Sequence, residues 1–413
     1  MFHRVWLLML AVGTFAIGTD GYVIAGLLPE MGRDLGVSDS QAGQFVTVFA
    51  LAYAIGAPLL GVAIGSLPRR PLLIGSLALF AVSNVAAALV DSYEMMLAVR
   101  VLAALTAAVF TPAAAAAVPP LVPVEERGRA LGTVGAGIAV ATAVGVPLGT
   151  LIGGAFGWRT TFLVVAGLSV LATAGLLWKL PPMPPEPAAG IKTRLSVARA
   201  RGIPTALGLT VLWIAGAFTV LTFMSPVLEA VGGIHGSVLS IWLMIFGVAA
   251  VAGNALGGRA ADRLPTTRLM VISTGGLTIA LASFGALGSL GVHGSLGAAL
   301  AAVALVVWGI FGWSFAPLQQ HRLVELAPQS AGIVLSLNAS AIYAGISLGG
   351  FLGSLALDHV GTTAVGWTAA GLEILAVAAA AAIAVRAGRH QRQGTPTPSA
   401  DSPTNADSTS LPL

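Results

Sequence analysis

One carboxylate stands alone in a strongly apolar stretch near the start of the chain. Asp20 lies within AVGTFAIGTDGYVIAGLLPE, residues 11–30, and no basic residue lies within ten positions of it. A lone carboxylate is costly to bury in hydrocarbon, so an ionisable residue inside a membrane segment is by default a candidate functional site. Asp20 is therefore expected to meet a basic partner that is distant in sequence.

Arg100 is the candidate partner, because it too lies in an apolar stretch, LAVRVLAAL. At a rise of 1.5 Å per residue, Asp20 lies roughly 13 Å before Pro29 and Arg100 roughly 9 Å after Glu94, at similar depth from one end. Burial disfavours a carboxylate, whereas a guanidinium favours it. We hypothesise that Asp20 carries a transported proton and that Arg100 modulates it. The alternative is a static ion pair that fixes two helices.

Two further acids lie in or beside apolar stretches. Glu373 stands about midway along the last one, where it could face a polar interior gap or extend towards the membrane surface. Glu229 ends the seventh stretch and is expected to be interfacial.

Aromatic and amide side chains within the apolar stretches could line a cavity for a drug-sized amphiphile. Aromatic rings offer flat apolar contact, and amides offer adaptable hydrogen bonds. Trp308 and Trp313 are five residues apart, so they cannot point the same way on a regular helix. Gln319, Gln320, His321 and Arg322 are expected to form a gate or a helix cap. The candidate cavity residues are Tyr22, Gln44, Asn84, Trp213, Phe218, Phe223, Asn254, Trp308, Trp313, Asn338 and Tyr343.

Membrane-spanning helices are the elements that must position these residues. The chain has 413 residues, of which 56% are hydrophobic and only 9% charged, and its mean hydropathy is +0.91. Stretches of this length cross a bilayer as helices. The sequence predicts an all-α polytopic membrane protein with twelve spans near 5–29, 41–66, 71–91, 94–118, 130–154, 160–180, 204–229, 237–260, 269–290, 295–317, 331–356 and 363–386.

The distribution of Lys and Arg predicts the orientation of these spans. With a cytoplasmic N-terminus, only Arg33 and Arg159 lie outside and Arg100 lies within a span, which leaves the other 17 of the 20 basic residues inside. This excess favours a multi-pass protein of the bacterial inner, or sole, membrane with both termini cytoplasmic. The first apolar stretch lacks a cleavage site and is expected to remain as a helix.

An internal repeat divides the chain into two six-helix halves. Four residues of the first half recur at a shift of 197: Phe49, Gly56, Gly61 and Pro68 match Phe246, Gly253, Gly258 and Pro265. The predicted units are an N-terminal half (1–180), a cytoplasmic linker loop (181–203) that could contain a short amphipathic helix, a C-terminal half (204–389) and a disordered cytoplasmic tail (390–413). Such a repeat suits a transporter whose halves rock about a central site.

The fifth span carries a glycine face. Gly145, Gly149 and Gly153 recur every four residues, which lets another helix approach closely. Pro147 favours a kink in the same region. Ordinary membrane packing would explain the glycines alone. With the proline, they predict a tight, bendable seam between the two halves.

These motifs together resemble the major facilitator superfamily, and within it the drug:proton antiporters with twelve spans. The resemblance covers about residues 5–386 and is carried by GTDGYVIAGLLPEMGRDLGVS, RVLAALTAAVFTPA, GAGIAVATAVGVPLGTLIGGAFGWRTTF and LSLNASAIYAGISLGG. The last stretch resembles sugar-efflux and chloramphenicol-exporter-like members. The resemblance implies the major facilitator fold and proton antiport, with the fifth-span motif helping to close the resting cavity.

One loop departs from the family pattern. The loop after the second span, GVAIGSLPRRPLLIG, has Gly65 where the family has aspartate but keeps Arg69 and Arg70. The second-half copy retains its acid, Asp262, followed by Arg263. All four charged residues are candidate gating groups. Arg69 and Arg70 would have to dock on helix carbonyl ends or on an acid elsewhere, unless they act only as topological charges.

The resulting hypothesis is proton-coupled efflux of a small organic compound, such as an antibiotic, a toxic metabolite or a sugar. Alternatives are a proton-coupled nutrient importer and a non-transporting membrane receptor or scaffold. No catalytic or ATP-binding motif is present, and the chain has no cysteine. The expected partners are therefore a small-molecule substrate, protons and membrane lipid, without nucleic acid, metal or cofactor. We expect the protein to function as a monomer.

Overall fold

Twelve long helices form the described part of the structure, and each is long and apolar enough to cross a membrane. The computed structural model describes residues 5–183, 190–261 and 263–393. The fold prediction is confirmed. The helices are α1 Val5–Asp34, α2 Asp39–Ala63, α3 Arg69–Leu89, α4 Tyr93–Ala117, α5 Arg127–Val140 with Ala141–Gly145 and Val146–Phe156, α6 Trp158–Lys179, α7 Ile203–Thr222 continued by Met224–Gly232, α8 Ser237–Ala261, α9 Thr266–Ser289, α10 Gly294–Leu326, α11 Ala331–His359 and α12 Thr362–Gln393.

Several helix ends differ from the sequence prediction. α1 continues past Pro29 to Asp34, so this proline lies inside the helix instead of ending it. The expected linker helix is present as Ile191–Ala198. α12 reaches Gln393, so the first four residues of the segment predicted as a disordered tail are helical. The rest of that segment lies outside the described residues.

The two halves repeat one packing scheme. In the first half α1 packs on α5, α2 on α4 and α3 on α6, and in the second half α7 packs on α11, α8 on α10 and α9 on α12. Each pair in one half thus has its counterpart six helices later. The bundle therefore consists of two pseudo-symmetric six-helix halves, as the repeat predicted.

The halves are joined by hydrogen bonds at one end of the bundle. We call this the far end, where α1 leads into α2, and the opposite end the linker end, where α6 leads towards α7. At the far end, Gln44 Nε2 on α2 donates to Ser354 Oγ on α11 (2.8 Å), and Ser354 Oγ donates to the Ser40 carbonyl (3.0 Å). Gln44 is therefore part of this far-end seal, which corrects its prediction as a cavity residue.

Towards the linker end the halves diverge. α8 packs on the middle and far portions of α5, where a Cβ built on Gly247 would lie 2.6 Å from Ala143 Cα. On the linker portion of α5, a Cβ on Gly128, Gly132 or Gly135 would meet no atom within 4 Å. The halves are thus closed together at the far end and separated at the linker end.

The glycine face of α5 does not lie between the halves, which corrects the predicted seam. Its glycines face α1 of the same half, and a Cβ on Gly149 would lie only 2.6 Å from Val23 Cγ2. The predicted kink takes the form of a π-helical turn, Ala141–Gly145, just before Pro147. The contacts of the three glycines are Gly145 with Thr19, Gly149 with Val23 and Gly153 with Leu27.

Glycines also bring α8 against the backbone of α10, and this contact yields a test with a matched control. A Cβ on Gly257 would lie 2.8 Å from Ser314 Cα, whereas a Cβ on the next residue, Gly258, would meet nothing within 4 Å. We expect Gly257→Ala to destabilise the protein by about 1–3 kcal/mol, because backbone cannot yield to the added methyl. Gly258→Ala should leave thermal unfolding of the purified protein unchanged. Equal melting temperatures would contradict this packing.

Candidate functional site

Asp20 and Arg100 form an ion pair in the interior of the first half. Arg100 Nη1 donates to Asp20 Oδ1 (2.9 Å) and Oδ2 (2.8 Å). The exposed fractions of the two side chains are 1% for Arg100 and 0% for Asp20. The structure thus brings together the two charges that the sequence placed at similar depth on α1 and α4. Because both side chains are buried, each charge depends on the other for its stabilisation.

The guanidinium of Arg100 has a second neighbour that the sequence did not indicate. Its Cζ lies 4.3 Å from the centroid of the Phe49 ring on α2, a distance typical of a cation–π contact. Its Nε has no hydrogen-bond partner among the described residues. Arg100 is therefore held by the Asp20 carboxylate, by the Asp20 backbone carbonyl (3.5 Å from Nη2) and by one ring, with a buried donor still available to a polar atom.

Aromatic side chains connect this ion pair to the second half. The Phe49 ring lies 6.3 Å from Tyr343 on α11, and Tyr343 stacks on Tyr53 of α2 at 3.5 Å. On α1, the ring of Tyr22 lies 5.8 Å from Phe218 on α7. Tyr22, Phe218 and Tyr343 were predicted as cavity residues, whereas Phe49 and Tyr53 were not. Their spacing of four on α2, which places them on one face, was the available signal.

A second aromatic group lies within the C-terminal half. The ring centroids of Trp213 and Phe315 are 4.5 Å apart. The ring centroid of Phe246 lies 4.9 Å from that of Trp308 and 5.4 Å from that of Trp313. Trp308 is fully buried, so it packs in the core of this half and does not line an open cavity. The indole N–H groups of Trp213 and Trp308 are buried without an acceptor among the described residues.

The buried amides of Asn84 and Asn338 make hydrogen bonds within their own halves, which corrects their prediction as cavity residues, although Asn84 Oδ1 has no partner among the described residues. Asn84 Nδ2 donates to the Phe80 carbonyl one turn earlier (3.0 Å). Thr210 Oγ1 donates to Asn338 Oδ1 (2.8 Å), and Gln319 Nε2 donates to Thr210 Oγ1 (2.8 Å). Gln319 is thus a buried network residue and not a gate. A polar side chain buried among helices needs such partners, and neighbouring helices supply them.

Two other predicted cavity residues lie apart from the ion pair. Asn254 is exposed on α8. Phe223 is buried at the break between the two parts of α7, where its ring packs on Gly43 of α2 and Gly353 of α11. Phe223 therefore belongs to the contact between the halves.

Arg69 and Arg70, in the loop that differs from the family pattern, bind carbonyl groups at the ends of helices. Arg69 Nη1 donates to the Ala116 carbonyl near the end of α4. Arg70 Nη2 donates to the Leu177 carbonyl near the end of α6 (2.8 Å). Cations are favoured at helix C-termini, where carbonyl groups lack intrahelical partners. In this loop, which has Gly65 in place of an acid, Arg69 and Arg70 thus bind carbonyl groups of their own half.

The second-half copy of this loop is only partly described. Asp262 lies outside the described residues, so its gating role stays a prediction. Arg263 follows it in the turn after α8, where its backbone N–H donates to the Ala260 carbonyl (3.1 Å).

A cavity of about 450 Å³ opens at the linker end between the two halves. It lies among α2, α4, the start of α11 and the linker helix, and Arg69 and Arg194 line it. Arg194 Nη1 donates to Ser336 Oγ on α11 (3.4 Å), and its guanidinium lies over Gly61 of α2. The linker helix therefore contacts both halves beside the entrance. Among the described residues, no group of three acidic or histidine side chains could hold a metal ion.

The ion pair yields a stability prediction of its own. Arg100→Leu leaves the Asp20 carboxylate buried without a cation, and we expect destabilisation by about 3–5 kcal/mol. The loss of stability should become smaller as the pH falls, because protonation of Asp20 removes the unpaired charge. The double variant Asp20→Asn/Arg100→Leu should recover most of the loss, as measured by thermal unfolding. Glu325→Gln, at an exposed residue, is the control and should change little. A double variant as unstable as Arg100→Leu would argue against the pair.

Comparison with known proteins supports the arrangement. The family model described as Major Facilitator Superfamily matches residues 10–350. The inner membrane transport protein YdhP of Escherichia coli is 32% identical, over 90% of this chain and 94% of its own length. The chloramphenicol resistance protein of Streptomyces lividans is 35% identical over 64% of this chain and 69% of its own. A crystal structure of a D-xylose-proton symporter has the same fold, with a TM-score of 0.73, 18% identity and coverage of 92% and 97%.

Proposed function

The chain belongs to the Major Facilitator Superfamily, and from that membership we propose that it exports a small organic compound in exchange for protons. It is a multi-pass membrane transporter with twelve spans. The direction of transport, the coupling ion and the substrate class are our proposal. The buried ion pair of Asp20 and Arg100 is the observation that carries it.

The ion pair fits the proton-released stage of such a cycle. Both Asp20 oxygens accept hydrogen bonds from Arg100, as an ionised carboxylate does. In the proposed cycle, Asp20 takes a proton while the far end is open and loses it while the linker end is open. Protonation removes the charge attraction to Arg100. Because the Phe49 ring lies between Arg100 and Tyr343 of the other half, this change would reach the contact between the halves.

The geometry of the linker end supports entry of substrate from that side. The cavity there is lined by residues of both halves. Tyr22, Phe218 and Tyr343 do not line it, and they would offer flat apolar surfaces to the substrate at the contact between the halves. The relative named as a chloramphenicol resistance protein favours an antibiotic-like compound as substrate. No resident cofactor is needed in this proposal, since the proton gradient supplies the driving force. One chain contains both halves, and we propose that it acts as a monomer.

Transport measurements test the role of Asp20. In inverted vesicles with an imposed pH gradient, we expect the natural chain to transport one or more compounds of a drug panel that includes chloramphenicol. The transport rate should fall at least tenfold in Asp20→Asn. The amide keeps the shape of the site but cannot release a proton. The control is Glu94→Gln, at an exposed acid at the start of α4, which should transport normally.

Each outcome bears on the proposal. Full gradient-driven export by Asp20→Asn would exclude Asp20 as the proton carrier. Proton-driven accumulation in the opposite direction would favour the importer. No flux and no change in drug susceptibility across the panel would remove the efflux proposal.

The proposed orientation, with the linker end in the cytoplasm, has a direct test. The chain has no cysteine, so single introduced cysteines report position without background. Ser196→Cys lies in the exposed part of the linker helix, and Ser295→Cys lies exposed at the far end of α10. An impermeant maleimide should label Ser295→Cys in intact cells and Ser196→Cys only after permeabilisation. The reverse pattern would invert the topology.

A further inference from the structure

A second acid is buried in the C-terminal half, and no described residue forms an ion pair with it. Glu373 lies on α12 with an exposed fraction of 0%, and both carboxyl oxygens lack a hydrogen-bond partner among the described residues. An ionised carboxylate in such a place would cost far more than a helix contact supplies. The side chain is therefore protonated in this conformation.

Nearby helices carry no charged group that could change this conclusion. α12 packs on α7, α9 and α11, and Ile203–Thr222 of α7 has no titratable side chain. On the other packed segments the titratable groups are Glu229, Arg268, Tyr343, Asp358 and His359. Apart from Tyr343 they lie near helix ends. On α12, Arg386 is 13 residues further along, roughly 20 Å away by helical rise.

The neighbour of Glu373 is a glycine whose missing side chain makes room for it. A Cβ built on Gly216 of α7 would lie 2.6 Å from Glu373 Oε1 and 2.7 Å from Glu373 Cγ. The carboxyl group thus fills the space over bare backbone. This contact holds α7 against α12 as long as the carboxyl is neutral.

α7 also contacts the helix that carries Asp20. Phe218, two residues after Gly216, points from the opposite side of α7 and reaches the ring of Tyr22, two residues after Asp20. α7 is interrupted at Phe223, so its first part can move separately from its continuation. A shift of α7 at the contact between the halves would therefore disturb its packing on Glu373.

We propose that Glu373 is a second proton-binding site, occupied in the linker-open conformation and discharged when α7 shifts away from α12. In that step the carboxyl O–H bond breaks, the proton passes to water entering between the two helices, and the hydrated carboxylate remains. Protonation of Glu373 thus favours the linker-open state. The proposal rests on the proton-coupled function above and adds a proton site in the second half. Because Glu373 is loaded in the opposite phase to Asp20, it sets the balance of the two conformations and does not carry the driving proton.

Infrared spectroscopy of the purified protein tests the site without a substrate. We expect a protonated-carboxyl C=O band near neutral pH that is absent in Glu373→Gln, shifted in Glu373→Asp, and moved by transfer into D₂O. Gly216→Ala should perturb the band, since the methyl collides with the carboxyl. Gly208→Ala, on the same helix with nothing within 4 Å of its Cβ, should not. A missing band, or one that never exchanges with D₂O, would overturn the proposal.

Spin-label distances test the link to conformation. Cysteines at Leu131 on α5 and Leu256 on α8, both exposed in the linker portions, report opening of that end. In an Asp20→Asn background, the ratio of linker-open to far-open molecules should rise about tenfold per unit fall in pH across the titration. Adding Glu373→Gln should reduce this change in the ratio to less than twofold per pH unit, whereas adding Glu94→Gln should leave the change at about tenfold.

The outcomes separate this proposal from the proposed function. Equal pH dependence with and without Glu373 would overturn the second site, whatever Asp20 does in transport. If the Glu373 band exchanges with D₂O but no gradient-driven export is measured, the proton site is supported and the proposed proton-coupled efflux is excluded. Because the isotope measurement uses the natural chain, poor folding of a Glu373 variant cannot leave the site untested.

Discussion

Desolvation of charge is the constraint on which the rest of this structure depends. A carboxylate at the depth of Asp20 cannot be solvated by hydrocarbon, so α1 must pack where α4 supplies Arg100. That requirement ties α1 to α4 at one polar contact, while α1 packs chiefly on α5 and α6. Around it the fold can be almost wholly apolar, because the charge is neutralised locally. The same requirement makes the pair sensitive to any event that adds a proton or a polar group.

Close approach of helices is the second organising feature. Glycines of α8 bring it against the backbone of α10, and those of α11 bring it against α7. Small residues are a common basis of helix association in membranes, where the lipid tails are as apolar as leucine. In this bundle they hold each half together. The contact between the halves also includes a glycine, Gly247 of α8 against α5, together with a few polar side chains and aromatic rings, which can separate and re-form.

Much of this architecture could be predicted from the sequence. Apolar stretches of the right length gave all twelve helices, and the repeat at a shift of 197 gave the two halves. The pairing of Asp20 with Arg100 followed from depth and charge. Partner choice could not be predicted in the same way, because periodicity defines a helix face but not the neighbour it meets. The face of Gly145, Gly149 and Gly153 was therefore assigned to the wrong contact, and the amides Gln44, Asn84 and Asn338 were assigned to a cavity.

The far-end seal has a consequence for the energetics of opening. Gln44, Ser354 and Ser40 join the halves through two neutral hydrogen bonds, each worth about 0.5–1.5 kcal/mol net. Ser40 Oγ also donates to the carboxylate of Asp358 on α11 (3.3 Å). A difference of a few kcal/mol in ligand affinity between two states is enough to invert their populations. Each of these hydrogen bonds is therefore small beside what one bound molecule or one proton can supply, so breaking them does not by itself prevent the bundle from opening.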